Sequence, residues 1–156
     1  MNRLLKNLIY HAPCLFSERR YIELLWELEM GYPLNLDNPQ TFNEKIQWLK
    51  LYDRKSIYHT MVDKFAAKDY VSAIIGPEHI IPTIGVFDKV SDIPWDTLPG
   101  QFVLKCTHDS GGMVICRDKA GLDIRAAGRE LDKALHTNFW RRGLEWAYKD
   151  VKPRII

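Results

Sequence analysis

"FVLKCTHDSGGMVICRD", residues 102–118, is the stretch on which the fold turns. Phe102 and Leu104 alternate with Val103 and Lys105, the period of a strand with one face turned inward. Met113 to Cys116 repeats the alternation beyond a polar loop ending in Ser110, Gly111 and Gly112, so the two runs read as an antiparallel hairpin. Lys105 shares a face with Val103 and sits where its ammonium can leave the core. Glycines permit positive φ, and successive N–H groups can then converge on an anion. A lysine adds a point charge suited to phosphate. The same residues also read as a tight turn with a solvated gatekeeper lysine. Taken alone, the stretch leaves both readings open.

Downstream, "DIRAAGRELDKALH" (123–136) has helical spacing, with Ile124, Ala127, Leu131 and Leu135 on one side. Asp118 and Asp123 read as caps of the intervening turns. "RII" (154–156) has the character of a beginning strand, an unusual place for a chain to stop because its backbone groups would lack partners. Upstream, "SDIPWDTLPG" (91–100) is a loop, and "HIIPTIGVF" (79–87) reads as a short strand and a turn. "DKFAAKDYVSAII" (63–75) is helical, with Asp63 as N-cap and Gly76-Pro77 as stop. Lys64 opens that helix and Lys68 lies one turn on. A helix N-terminus attracts anions, yet a cap followed by a surface charge explains Lys64 equally well.

Further toward the N-terminus, Thr41 and Glu44 make a capping box. The helix it starts should bury Phe42, Ile46 and Leu49, with Trp48 at the edge. Ser17 caps an earlier helix that runs to about Met30 and stops at Gly31. Leu4, Leu5, Leu8 and Ile9 share one helical face and read as a core-docking helix.

Composition narrows the class. The chain has 156 residues, a net charge of +2 and 46% hydrophobic residues, which suits a soluble globular protein and gives no basic nucleic-acid footprint. Cys14, Cys106 and Cys116 include no CxxC pair, so neither a disulfide framework nor a zinc site is expected, and the thiols fit a cytoplasmic setting. No stretch approaches a membrane span.

Taken together, "NPQTFNEKIQWLKLYDR" (38–54), "DKFAAKDYV" (63–71), "LPGQFVLKCTHDSGG" (98–112) and "WAYKDVKPRII" (146–156) resemble the teichuronopeptide-biosynthesis (TupA-like) family of the ATP-grasp superfamily. The resemblance covers about residues 35–156. It implies an α+β fold: an N-terminal helical region (1–59), a pre-lid segment (60–100) and a lid-like subdomain (101–156) with antiparallel strands and a helix, the C-terminal core being missing. It implies ATP as ligand, with Lys64 as the first lysine, Lys105 as the second, and Ser110, Gly111 and Gly112 as the loop over the phosphates. His108, in the same loop motif, would touch phosphate or substrate, or lie as an ordinary loop histidine. Mg2+ is implied as well, but its ligands and the adenine hinge belong to a region after "KPRII", so no residue here is assigned to metal or to catalysis.

The expected function is thus the ATP-binding portion of a carboxylate–amine ligase-like protein of bacterial surface-polysaccharide biosynthesis, incomplete and inactive alone: a truncated product, a fragment or half of a split protein whose C-terminal domain is missing. Two alternatives stand beside it. One is a glycosyltransferase, the label such sequences often carry, which would want a DxD-like metal site. The other is a non-catalytic interaction module built on the tryptophans and on "NFWRRGLEWAYK" (138–149).

Overall fold

The computed structural model describes Ile9, residues 15–137 and residues 139–156. The expected docking contacts of Leu4, Leu5 and Leu8 lie outside the described residues. The chain forms two compact units: residues 1–55 with 140–146, and residues 56–139 with 147–156.

The first unit is helical where it is described. Helix α1 (Glu18–Met30) starts at Ser17, whose hydroxyl accepts from the Arg20 N–H at 3.3 Å, and ends at Gly31, at φ +79°, whose N–H reaches Glu27 O. Such an N-cap contributes about 1 kcal/mol. Tyr21, Ile22 and Trp26 are its buried residues. Tyr21 and Ile22 form a core with Ile9 and Leu144. Helix α2 (Phe42–Tyr52) opens with the full capping box. The face it buries is not the expected one, since Phe42 is 77% and Leu49 41% exposed. The core side of α2 runs through Leu51, roughly 200° around the helix from Leu49. Glu44 is the buried residue of α2, because its carboxylate folds back onto the Thr41 and Gln40 N–H groups. A short helix, α6 (Trp140–Gly143), also belongs to this unit.

The second unit is mixed. Helices α3 (Ile57–Val62) and α4 (Ala66–Ile75) precede the hairpin of β1 (Phe102–Lys105) and β2 (Met113–Cys116), and helix α5 (Ile124–Leu135) follows it. The antiparallel register pairs Phe102 with Cys116 and Leu104 with Val114 on the inner face, and Val103 with Ile115 and Lys105 with Met113 on the outer. α5 lays Ala127 and Leu131 against that inner face, while Gly128 is buried beside Val90. Burying a leucine such as Leu131 stabilises by about 1.5–3 kcal/mol. Asp118 and Asp123 do cap the turns between β2 and α5, accepting from Ala120 and Ala126 N–H.

Two expectations change here. α4 begins at Ala66 rather than beside Asp63, although Asp63 Oδ1 still accepts from the Phe65 and Ala66 N–H groups. The turn holding Lys64 thereby stands ahead of the helix. Residues 79–87 form no strand: Phe87 makes an isolated bridge to Ile155 and nothing more regular. Pro82 has no N–H for a ladder, and the Lys68 ammonium takes Ile81 O and Thr83 Oγ1 at 2.7 and 2.8 Å. The last residues pair as their strand-like character suggests. Ile155 bridges both Phe87 and Cys106, while Lys105 and Ile156 exchange two hydrogen bonds of 2.9 Å.

Candidate functional site

Lys64 lies between α3 and α4, where its N–H donates to Thr107 O at 3.2 Å. This bond hangs the first lysine on the residue two beyond Lys105. The Lys64 ammonium donates to Asp109 O and stands 3.7 Å from Asp109 Oδ1. Burial draws this ammonium below its ordinary value and Lys105 pushes the same way, while Asp109 and Cys106 oppose the fall.

The loop between the strands is closed by its own polar groups. Cys106 N–H donates to Gly112 O, and Gly112 N–H donates to Asp109 Oδ2, both at 2.8 Å. Gly111 has φ +136° with open space where a side chain would stand. Gly112 is glycine for packing: a Cβ there would overlap Asp109 Oδ2 and lie 2.5 Å from Ala134 Cβ. Among the described residues the Lys105 ammonium has neither a hydrogen-bond nor an ion-pair partner.

Two cavities meet these residues. The larger, of about 430 Å³, has Ile81, Pro82, Ile84, Phe87, Val103 and Leu104 among its walls, with Lys64, Lys68 and Lys105 as its cations. The smaller, of about 370 Å³, runs under Ser110, Gly111 and Gly112, with Asp109, Lys64 and Lys105 beside them. Lys64 and Lys105 line both. Five of the six residues read from the sequence therefore share one cavity. His108 is set apart. It is buried, with Nε2 at 3.2 Å from Thr137 O just beyond α5, and lines neither cavity.

Other residues that shape the site escaped the sequence reading. Asp109, which closes the loop onto Gly112, is one of them. Its spacing to Gly112 was the available signal, an acidic side chain closing a turn onto an N–H of its own loop. Lys68 ties down one wall of the apolar cavity. Arg154, whose guanidinium reaches Asp63 at 2.9 Å across the sequence, gave no local signal.

A hairpin with a lysine at its strand end and a glycine loop above it, backed by a helix, places the chain among mixed α+β proteins with a partial ATP-grasp fold. The TupA-like ATPgrasp family model matches residues 44–156, and the chain belongs to that family. No curated protein and no solved structure matches it. ATP-grasp proteins bind ATP and generally use Mg2+ with it. Magnesium takes oxygen ligands in an octahedral shell, chiefly carboxylates and phosphates. Among the described residues no group of three His, Cys, Asp or Glu side chains stands together as a metal site, and magnesium at a nucleotide is usually held by one or two carboxylates, the phosphates and water. Asp109, the carboxylate on the smaller cavity, is engaged by Gly112 N–H and faces Lys64.

Proposed function

We propose that the second unit binds ATP, with the base in the apolar cavity and the phosphates under the Ser110–Gly112 loop against Lys64 and Lys105. The observation that carries this reading is that both lysines line both cavities. A nucleotide needs an apolar slot joined to a cationic, N–H-rich pocket, and ligand cavities of roughly 300–1,000 Å³ are the usual size. Lysine ammoniums neutralise phosphate charge, and glycine N–H groups add donors without bulk. His108 enters as an anchor of the loop to the end of α5. The contacts proposed are those of the lysines and the backbone N–H groups.

The wider reading is an ATP-dependent carboxylate–amine ligase-like protein of bacterial surface-polysaccharide biosynthesis, working in the cytoplasm where ATP is made. Family membership supports the nucleotide; the substrates follow from the resemblance. Equilibrium titration of the chain with ATP tests the site. Losing a charge-assisted hydrogen bond to phosphate costs about 1.5–3 kcal/mol, so Lys105→Ala and Lys64→Ala are each expected to raise Kd about tenfold or more. Unchanged affinity in both variants would reject the assignment.

A further inference from the structure

We infer that Asp63 and Arg154 are positioning residues, a clasp that holds the segment bearing Lys64 to the sheet edge bearing Lys105; this inference rests on the ATP site proposed above. Asp63 is 6% exposed. Its Oδ1 accepts from Phe65 and Ala66 N–H at 2.9 and 3.3 Å, fixing the turn after Lys64. Its Oδ2 accepts from Arg154 Nη2 at 2.9 Å. The guanidinium also lies over the Phe65 ring, 5.0 Å from its centroid.

Arg154 is tied to the hairpin by its backbone. Its carbonyl accepts from Thr107 N–H at 2.8 Å, and Thr107 O accepts from Lys64 N–H at 3.2 Å. Asp63, Arg154, Thr107 and Lys64 thus close a ring of contacts. Two residues along, Ile156 exchanges its pair of hydrogen bonds with Lys105. Both lysine-bearing segments therefore hang from residues 154–156. The charges are largely out of water, with side-chain exposures of 9% for Asp63 and 21% for Arg154, so salt screens them little and losing one partner strands the other. Neither residue lines either cavity. Any effect on a ligand must pass through the residues the clasp holds, Lys64 first among them, and the chemistry of the clasp is geometric.

A double-mutant cycle on ATP affinity separates positioning from general stability. Asp63→Asn keeps the turn acceptor and removes the charge, while Arg154→Met keeps the length of the stem. Each is expected to raise the Kd for ATP about tenfold in the otherwise unaltered chain, and less than about twofold when Lys64→Ala is already present, as members of one network couple. The same fold-loss in both backgrounds, or no loss in either, overturns the inference. If Lys64→Ala itself leaves the Kd unchanged, the lysine assignment fails, and amide hydrogen exchange then decides the clasp without nucleotide. In Asp63→Asn the Lys64 and Thr107 amides are expected to exchange about tenfold faster while Leu104 and Val114, a hydrogen-bonded pair of the hairpin, hold their protection. Unchanged exchange at Lys64 and Thr107, or uniform acceleration through the unit, refutes it.

Discussion

Lys64 bears a charge that its surroundings disfavour. Burial holds its ammonium below the ordinary value of 10.5, so in the free protein it sheds its proton earlier than a solvated lysine would. Phosphate favours the charged form and draws the value back up. Binding is therefore coupled to proton uptake between the two values, and ATP affinity is expected to fall as pH rises through that alkaline window toward 10.5. Lys64→Arg, charged at every accessible pH, should flatten the profile; an equally steep fall in that variant would remove Lys64 from the binding step. Gly112 poses a packing question. Alanine there has no room beside Asp109 and Ala134, and overpacking of this kind costs about 1–3 kcal/mol. Gly112→Ala is expected to lower the thermal midpoint of the second unit and weaken ATP binding together, read by thermal unfolding and titration. By spacing alone Lys64 and Lys105 read as two separate lysines, each with an ordinary explanation, and it was the family resemblance that paired them. Their sharing of a cavity arises from the Lys64 N–H on Thr107 O, which no spacing rule contains.

At the level of the element, helix ends were the most legible features. Ser17, Gly31, Thr41, Glu44, Asp118 and Asp123 all act as their types suggest, because a cap satisfies N–H or C=O groups within a few residues of itself. Thr41→Ala is expected to destabilise the first unit by about 1 kcal/mol in thermal unfolding. Glu44 adds a pH dependence. The Thr41 N–H, then that of Gln40, holds its carboxyl below the usual carboxylate range. Its contribution is thus complete above the ordinary carboxylate value and is lost as pH falls through the lowered one. In Glu44→Gln that acid-range loss should disappear; its persistence would place the dependence on another group. Which face a helix buries was less legible. Phe42 and Leu49 have the right spacing, but α2 turns Leu51 to the core instead, since side-chain contacts from other elements choose among apolar stripes.

For the molecule as a whole, the second unit is held by a core that joins the hairpin, α5 and the last residues of the chain. Cys106 lies fully inside it, its Sγ 3.8 Å from Leu131 O. Burial, with Asp109 adding to it, pushes this thiol up to about 12, and a thiol so held is a poor nucleophile. Alkylation of Cys106 should accordingly begin only as the second unit unfolds. Peptide mapping along a urea series tests this, and rapid labelling in native buffer would contradict the core as described. The hairpin needed no more than its alternation to be read, whereas the third segment at its edge, Arg154 to Ile156, needed partners far away in the chain.

The sequence by itself determined the α+β class, the hairpin and its inward face, the cap at each well-marked helix end and the types of residue suited to phosphate. These depend on neighbours within a turn or on strand periodicity, where local sterics and hydrogen bonding suffice. Only the tertiary structure decided that Lys64 and Lys105 face common cavities, that His108 turns to Thr137 instead, and that Asp63 meets Arg154. Those outcomes are set by contacts between segments distant along the chain, where buried charges and N–H groups must find partners wherever packing leaves them.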